Sequence, residues 1–511
     1  MVNKVTTATA IGLEAYKITV ETDVINSLPA ISIVGLPDTA INEARDRVRS
    51  AIKNSEYSFP AKKVVINLAP ADIKKVGTNF DLPIAIGILV EEEVLDSNKI
   101  QGYAFLGELS LDGEIRGVSG VLPLVLGLKN FGIKNVIVPK INANEAALVD
   151  GINIYGANHL TEVVNHFLEE KIPQTKIDIT EYINSKNSDE FIYDFKDVKG
   201  QKKAKKALEI AAAGGHNLLM SGSPGSGKTL MAKCFASILP PLELSEALEL
   251  TKIYSISGLL SSDEPLMTKR PFRPIHHTAS ANGIIGGGSN PKPGEITLAH
   301  RGVLFMDEIV EFPRQVLEVL RQPLEDAKVV ISRTNHSITY PAKFMLLAAM
   351  NPCPCGYLGD KEKQCTCSEF QINRYLAKLS GPLLDRIDLQ IEVPRLTSDE
   401  LLNSTQAEES SSEIRKRVIN ARKLQAERYK DDGILTNSEL TPKLIKKYCK
   451  INKSCEEIFK VAIVKYQLSG RRYDRILKLA RTIADLENSQ EIKQNHLMQA
   501  LQYRTFLNTQ T

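Results

Sequence analysis

The chain has 511 residues, 43% hydrophobic and 24% charged, an ordinary globular composition that excludes a mainly disordered or fibrous protein. Its net charge of +3 is too near neutral to argue alone for a polyanion partner. The longest apolar run, Leu82 to Val90, is far short of the roughly 18–20 residues that span a bilayer; no secretory pattern opens the chain, and seven cysteines, four of them within 353–367, are no disulfide framework, so a cytoplasmic protein with no membrane partner is expected.

Residues 1–170 mix strands with a few helices. Ala15 to Glu21 and Ile31 to Val34 predict short strands, and Pro37 to Ser50 predicts a helix with Ala40, Ile41, Ala44 and Val48 on one face. The β-branched runs Val64 to Leu68 and Val136 to Val138 predict buried strands. Residues 171–195 are polar without a sustained period and predict a linker. Residues 196–395 alternate strands and helices, the pattern of an α/β unit with a parallel sheet. In 396–511, Ser404 to Ser412 predicts a loop, and Ile414, Val418, Ala421 and Leu424 begin a helical pattern that continues onward. Between Glu413 and Leu507 stand 21 Lys plus Arg against 11 Asp plus Glu. That excess points either to nucleic acid or to solvated helix faces.

Gly222-Ser223-Pro224-Gly225-Ser226-Gly227-Lys228-Thr229 matches GxxxxGK[ST] in full, between an apolar strand at Asn217 to Met220 and a helical run at Leu230 to Ile238. Its glycines let backbone N–H groups turn inward onto phosphate oxygens at a helix N-terminus. Lys228 is expected to meet the β- and γ-phosphates of ATP, and the Thr229 hydroxyl to ligate Mg²⁺. A second apolar strand, Gly302 to Met306, ends in Asp307 and Glu308. Asp307 would join the Mg²⁺ shell, and Glu308 would polarise the attacking water. A third strand, Phe344 to Met350, delivers Asn351 to the same place. Arg386, in Leu383-Leu-Asp-Arg386-Ile-Asp388, can reach a neighbour's nucleotide or serve as a surface ion-pair residue.

In order, these elements resemble an AAA+ ATPase. The 79 residues from Lys228 to Asp307 leave room for an insertion, and the strings Arg270 to His277, Gly286 to Gly288 and Pro293 to Gly302 resemble magnesium-chelatase-type ATPases. That resemblance implies a helix-2 insert and a hairpin before the sensor strand, here Val329 to Arg333, a turn near Asn335, and Ile338 to Tyr340. The whole chain is similar to the YifB/ComM group of magnesium-chelatase-like proteins. The resemblance implies a Lon-protease-like (ChlI-type) domain over 1–170, a P-loop AAA+ core over 196–395 and a helical lid over 396–511. Ile133 to Pro139 and Gly77 to Leu82 carry the Lon-like likeness, but Asn79, Phe80 and Asp81 stand where a serine loop would be, and residues 118–128 hold no lysine. A domain without a nucleophile is a non-catalytic scaffold. The resemblance also implies Arg386 as an arginine finger, a sensor 2 at Arg471 or Arg475, and Val198, Gly200 and Gln201 beside the adenine.

Cys353-Pro-Cys355 and Cys365-Thr-Cys367 could supply four thiolates to zinc, or be reduced cysteines in a loop. The first reading is preferred, because the intervening residues Lys361 to Gln364 offer little core. His276 and His277 read as packing residues of the insert. For function, the resemblance implies a homo-oligomeric, hexameric ring moving on single-stranded or branched DNA, with branch migration or helicase action during natural transformation or recombination. Arg333, Asn335 and His336, at the hairpin tip, are the expected DNA contacts; the alternative is that the hairpin packs on the next subunit. A protein-remodelling or regulatory ATPase is the second reading. A magnesium-chelatase motor subunit is the third, and no DxSxS motif or acidic proline-rich linker supports it.

Overall fold

A computed structural model describes residues 3–169, 171–186, 191–288, 291–332, 337–360, 362–396 and 408–504. The chain divides into two compact units, residues 1–188 with 243–268, and residues 189–242 with 269–511.

The first unit is built on an eight-stranded mixed sheet. Its strands are β1 (Asn3–Ile11), β2 (Glu14–Ile25), β3 (Ala30–Val34), β4 (Lys63–Ala69), β5 (Tyr103–Phe105), β6 (Asn135–Pro139), β7 (Asn153–Ala157) and β8 (Gln174–Thr175), in the order β8-β7-β6-β5-β1-β2-β4-β3. Val64, Ile66 and Leu68 are buried while their neighbours are half-buried, the period-2 signature of a strand with one face on a core. Helix α1 (Thr39–Asn54) begins two residues after the expected start, because Asp38 caps it by accepting from the Ile41 N–H. Its buried Ile41, Ala44, Val48, Ala51 and Ile52 follow the helical period. The long apolar run forms helix α2 (Asp81–Glu91), buried from Asp81 to Val90. A Cβ on Gly87 would stand 2.4 Å from the Thr22 hydroxyl, so glycine permits α2 to lie this close to β2.

Two of the residues at the position of a serine loop are committed to this packing. The Arg47 guanidinium donates twice to the buried Asp81 carboxylate, at 2.7 and 3.0 Å, and the Leu109 N–H donates at 3.2 Å. Asn79 donates to the Ala8 carbonyl at 2.9 Å.

The expected linker over 171–195 is corrected in part. Gln174 and Thr175 pair with Tyr155 and Ile154, and Ile179–Lys186 is a helix of the same unit. Strand addition through backbone hydrogen bonds needs no apolar period, so the polar sequence did not betray it. A second correction concerns the continuous core expected over 196–395. The helix Leu244–Ser257 belongs to the first unit, where it packs against α3 (Val121–Asn130) and Ser255 donates to the Glu145 carboxylate at 2.5 Å. Burial raises the Glu145 carboxyl, against the pull of Ser255, the Leu122 N–H and Asn142.

The second unit carries a five-stranded sheet, all parallel. Helix α4 (Lys202–Gly214) leads into β9 (Leu218–Ser221), followed by α5 (Lys228–Phe235), β10 (Phe272–Ile275), β11 (Val303–Met306), α6 (Arg321–Asp326), β12 (Lys328–Ser332), β13 (Ser337–Pro341), β14 (Met345–Met350), α7 (Glu369–Leu376), α8 (Gly381–Leu384) and β15 (Leu389–Glu392). The order is β10-β11-β14-β9-β15, so β9 lies inside the sheet between β14 and β15. Strands β12 and β13 form a separate antiparallel hairpin in which Val329 faces Tyr340 and Ser332 faces Ser337. Arg333, Asn335 and His336, the expected DNA contacts, lie outside the described residues.

The C-terminal helices share this unit's core rather than building their own. Ile414, Val418 and Ala421 of α9 (Ser411–Arg428) and Ile476, Leu479, Ala480 and Ile483 of α10 (Gly470–Leu486) pack with the alanine face of α4. Asp388, just before β15, is buried and meets Arg475 of α10 at 2.6 Å. Burial alone would raise its carboxyl, but Arg475, His216 and Arg504 hold it well below the usual carboxylate range. Among the described residues no helix is long and apolar enough to cross a membrane.

Candidate nucleotide site

Three strands of the parallel sheet end side by side and deliver the motif residues to one edge, the place where open α/β sheets bind ligands. Ser221 leads into the loop 222–227, which turns through left-handed Gly225 (φ 77°) and Gly227 (φ 89°) before α5 begins at Lys228. A Cβ on Gly222 would collide with the Val393 carbonyl at 2.1 Å, so the loop lies flush against the chain leaving β15. Lys228 folds back and donates to the Gly222 and Ser223 carbonyls at 2.6 and 3.0 Å, and to Asn351 Oδ1 at 3.4 Å. Burial lowers its ammonium pKa, and the nearby Asp307 and Glu308 carboxylates oppose that shift.

The Thr229 hydroxyl donates to Asp307 Oδ2 at 2.8 Å, so two oxygen ligands of the kind Mg²⁺ takes already touch. Glu308 holds a left-handed backbone (φ 51°) and its N–H donates to Asp307 Oδ1 at 3.0 Å. Its side chain is exposed at the same edge as Asn351. Val198 is buried, the Gly200 N–H donates to Glu408 at 2.6 Å, and Gln201 donates to the Pro394 carbonyl at 2.6 Å. Since Pro394 follows Val393, the 198–201 segment reaches the same edge as the phosphate loop.

The arginines lie elsewhere. Asp388 and Leu389 donate to the Asn217 carbonyl, and Asn217 donates to the Arg386 carbonyl at 2.9 Å. Asn217 precedes β9, so Arg386 sits at the sheet's opposite edge, roughly 13 Å away across four strand residues at about 3.3 Å each. Arg471 and Arg475 stand there too. Arg475 donates to the Arg386 carbonyl at 3.0 Å, and Arg471 pairs with Glu325 of α6 at 3.4 Å. Arg386 is only 8% exposed and pairs with the same Glu325. Burial, then Arg321, Arg471 and Arg475, all lower the Arg386 pKa. Nε of Arg321 and Nε of Arg386 are buried without hydrogen-bond partners. Arg321 pairs with Glu318 and Arg475 with Asp388, so the cluster is largely paired and only the two buried Nε groups stay unsatisfied.

Sequence reasoning missed Arg321 and Glu325, which no motif marks, and also Tyr375 of α7. Tyr375 is buried beside Glu311 and Glu308, and burial first, then those carboxylates, push its phenol up.

Cys353, Cys355, Cys365 and Cys367 are all free, and their sulfurs lie within 4.8 Å of one another. Backbone donation from Tyr357 is the largest influence bringing the Cys355 thiol down to about 5, whereas burial is the largest raising Cys353. His276 bonds Thr278 at 2.9 Å and lies against His277 with the rings tilted, and among the described residues no other group of His, Cys, Asp or Glu converges as the four cysteines do.

A phosphate loop, paired oxygen ligands and a polar sensor on one edge of a parallel sheet define a P-loop ATPase, a class that works with ATP and Mg²⁺. Family comparison agrees. Residues 194–401 match magnesium chelatase, subunit ChlI; residues 20–142 match subunit ChlI of Mg-chelatase; and residues 408–504 match the C-terminal part of that subunit. Over 504 residues the chain is 44% identical to Competence protein ComM of Haemophilus influenzae, covering 98% of this chain and 96% of that protein. It is 43% identical over 505 residues to the uncharacterized protein YifB of Salmonella typhimurium, with the same coverage. A magnesium-chelatase subunit ChlI homolog of Methanocaldococcus jannaschii is 24% identical over 262 residues, 46% of this chain and 68% of that protein. The chain belongs to the ComM/YifB family of magnesium-chelatase-like proteins.

Proposed function

We propose that this chain is an ATP hydrolase that assembles into a cytoplasmic homo-hexameric ring and moves DNA, promoting branch migration when incoming strands are integrated. The observation that carries the hydrolase reading is the 2.8 Å contact of Thr229 with Asp307, beside a Lys228 ammonium in reach of Asn351. Lys228 and the 222–227 backbone bind phosphate oxygens, and Val198, Gly200 and Gln201 border the base. Thr229 and Asp307 would hold the Mg²⁺ that accompanies ATP, which would neutralise charge on the phosphates. Glu308 accepts a proton from, and orients, the attacking water, while Asn351 fixes its position. Arg386, with Arg471 or Arg475, approaches the nucleotide of the next subunit, because its own lies across the sheet. Cys353, Cys355, Cys365 and Cys367 are assigned to a structural zinc ion.

Action on DNA is supported by the similarity to a protein named for competence and by the basic 413–507 segment. The hairpin tip, Arg333, Asn335 and His336, is assigned to the DNA backbone, which it would grip without reading sequence. ATP turnover should rise with single-stranded or branched DNA, and DNA binding should weaken steeply between two salt concentrations, since phosphate neutralisation releases counterions. Arg333→Ala with His336→Ala should keep DNA-independent turnover and lose both DNA stimulation and branch migration. Unchanged stimulation in a ring that still assembles would remove the hairpin as the grip, and no stimulation of the unaltered ring by any DNA would remove the DNA reading.

The first unit is assigned as a Lon-protease-like scaffold without peptidase chemistry, since Asn79 and Asp81 are consumed by Ala8 and Arg47. Incubation with casein and ATP should yield no fragments. Cleavage that persists after repurification, in amounts proportional to this chain, would overturn that assignment.

A further inference from the structure

The four sulfurs already approximate the corners of a coordination shell. Cys353 stands 3.4 Å from Cys355 and 3.7 Å from Cys365, and Cys355 stands 3.5 Å from Cys365. A tetrahedral zinc with Zn–S bonds of about 2.3 Å has S···S edges of about 3.8 Å. A disulfide would need about 2.05 Å. The Cys355 N–H donates to the Cys367 sulfur at 3.4 Å, which satisfies a thiolate from the backbone. Sulfur-only ligation favours zinc over the hard cations that serve phosphate chemistry.

What the excursion touches is more informative. Asn351 precedes Cys353 by two residues. Gly356 has φ 84°, and a Cβ there would stand 2.6 Å from Pro224 Cδ, so its backbone is pressed onto the phosphate loop. Just past Cys367, Ser368 caps α7 in a reciprocal capping box with Gln371. That helix carries the buried Tyr375, whose phenol the Glu311 and Glu308 carboxylates help to push up. The segment therefore bears on the phosphate loop, the sensor and the surroundings of the catalytic carboxylate. Yet Cys355, Cys365 and Cys367 are only half-buried, and Glu362, Lys363 and Gln364 are exposed. Among its described residues no apolar core of its own fixes it.

We infer that a tetrathiolate zinc ion braces the nucleotide site: its occupancy sets the position of the phosphate loop through Gly356 and Pro224, and of Asn351 through the chain leaving β14. This deepens, and rests on, the ATPase reading. The brace acts by positioning and touches no reacting atom.

The test uses the full chain, purified without chelator. Metal analysis should find one zinc per chain, and cobalt(II) exchange should give the intense d–d bands of a tetrahedral thiolate site. Both readouts are independent of ATP. Cys365→Ser with Cys367→Ser should lose the metal, keep its oligomeric state, bind a fluorescent ATP analogue more weakly, and hydrolyse ATP about 100-fold more slowly, the scale of a misplacement of about 1 Å. Should that variant fail to fold, Gly356→Ala serves instead. It should keep its zinc and still lose nucleotide affinity, because the added methyl pushes on Pro224. Absence of zinc, with four thiols titrating freely in the native protein, overturns the site. Wild-type affinity and turnover in a folded zinc-free variant, or in Gly356→Ala, overturns the brace. A wild-type protein that holds zinc and binds the ATP analogue but never releases phosphate instead overturns the hydrolase reading alone.

Discussion

Glu308→Gln should bind ATP as tightly as the unaltered protein and hydrolyse it about 10²–10⁴-fold more slowly, the usual worth of a positioned general base. The amide keeps the size of the side chain and cannot accept the water's proton. The contact between Thr229 and Asp307 does not involve the Glu308 side chain, so the two proposed Mg²⁺ ligands stay in place. The left-handed backbone of Glu308 is a strained conformation that a site retains when the side chain's direction matters. Lys228→Ala should behave differently and lose nucleotide binding as well as turnover. Its ammonium is enclosed by the loop carbonyls, 2.6 and 3.0 Å away, and exchanges them for phosphate oxygens. Fluorescent-nucleotide titration beside single-turnover phosphate release separates the two. Near-normal turnover in Glu308→Gln would take the base role from this residue.

A mixture of Arg386→Ala and Lys228→Ala chains should recover activity that neither has alone. The phosphate loop and Arg386 occupy opposite edges of one sheet, so a single chain cannot bring them onto one nucleotide. In the proposed ring each interface would join one chain's loop to its neighbour's arginines. Arginine fingers supplied in trans contribute about 10³–10⁵ in turnover. In mixed rings some interfaces combine an intact Lys228 with an intact Arg386. On that proposal Glu325, which holds both Arg386 and Arg471, would be displaced by phosphate. Phosphate release measured across mixing ratios, with mixed assembly confirmed by differential labelling, decides the matter. No recovery at any ratio would show that the site is complete within one chain.

The nucleotide edge was legible because each of its parts is a short string attached to an apolar strand. Parallel strands all end on the same side, so Lys228, Asp307 and Asn351 had to meet. The opposite edge was not legible in that way. Arg321, Glu325, Arg386 and Arg471 come from three distant segments, and only packing brings them together. The same holds for Tyr375, whose neighbours Glu308 and Glu311 lie more than sixty residues earlier in the chain. The polar strand Gln174–Thr175 looks like linker in the sequence because backbone pairing leaves no trace in side-chain polarity. Helix Leu244–Ser257 reads as part of whichever unit surrounds it in sequence, since its apolar residues say that it packs but not against what.

That helix also limits how the protein can be taken apart. Ala247, Leu250, Ile253 and Tyr254 are buried against the first unit, although the chain reaches them only after leaving the phosphate-loop helix. Cutting near residue 190 would leave a fragment that keeps the helix and loses its partner surface, with four apolar side chains open to water. The two units are thus threaded through one another in sequence. Neither can be deleted, transplanted or duplicated by a single cut, and an insertion or permutation that respects the fold must treat residues 243–268 as the property of the first unit.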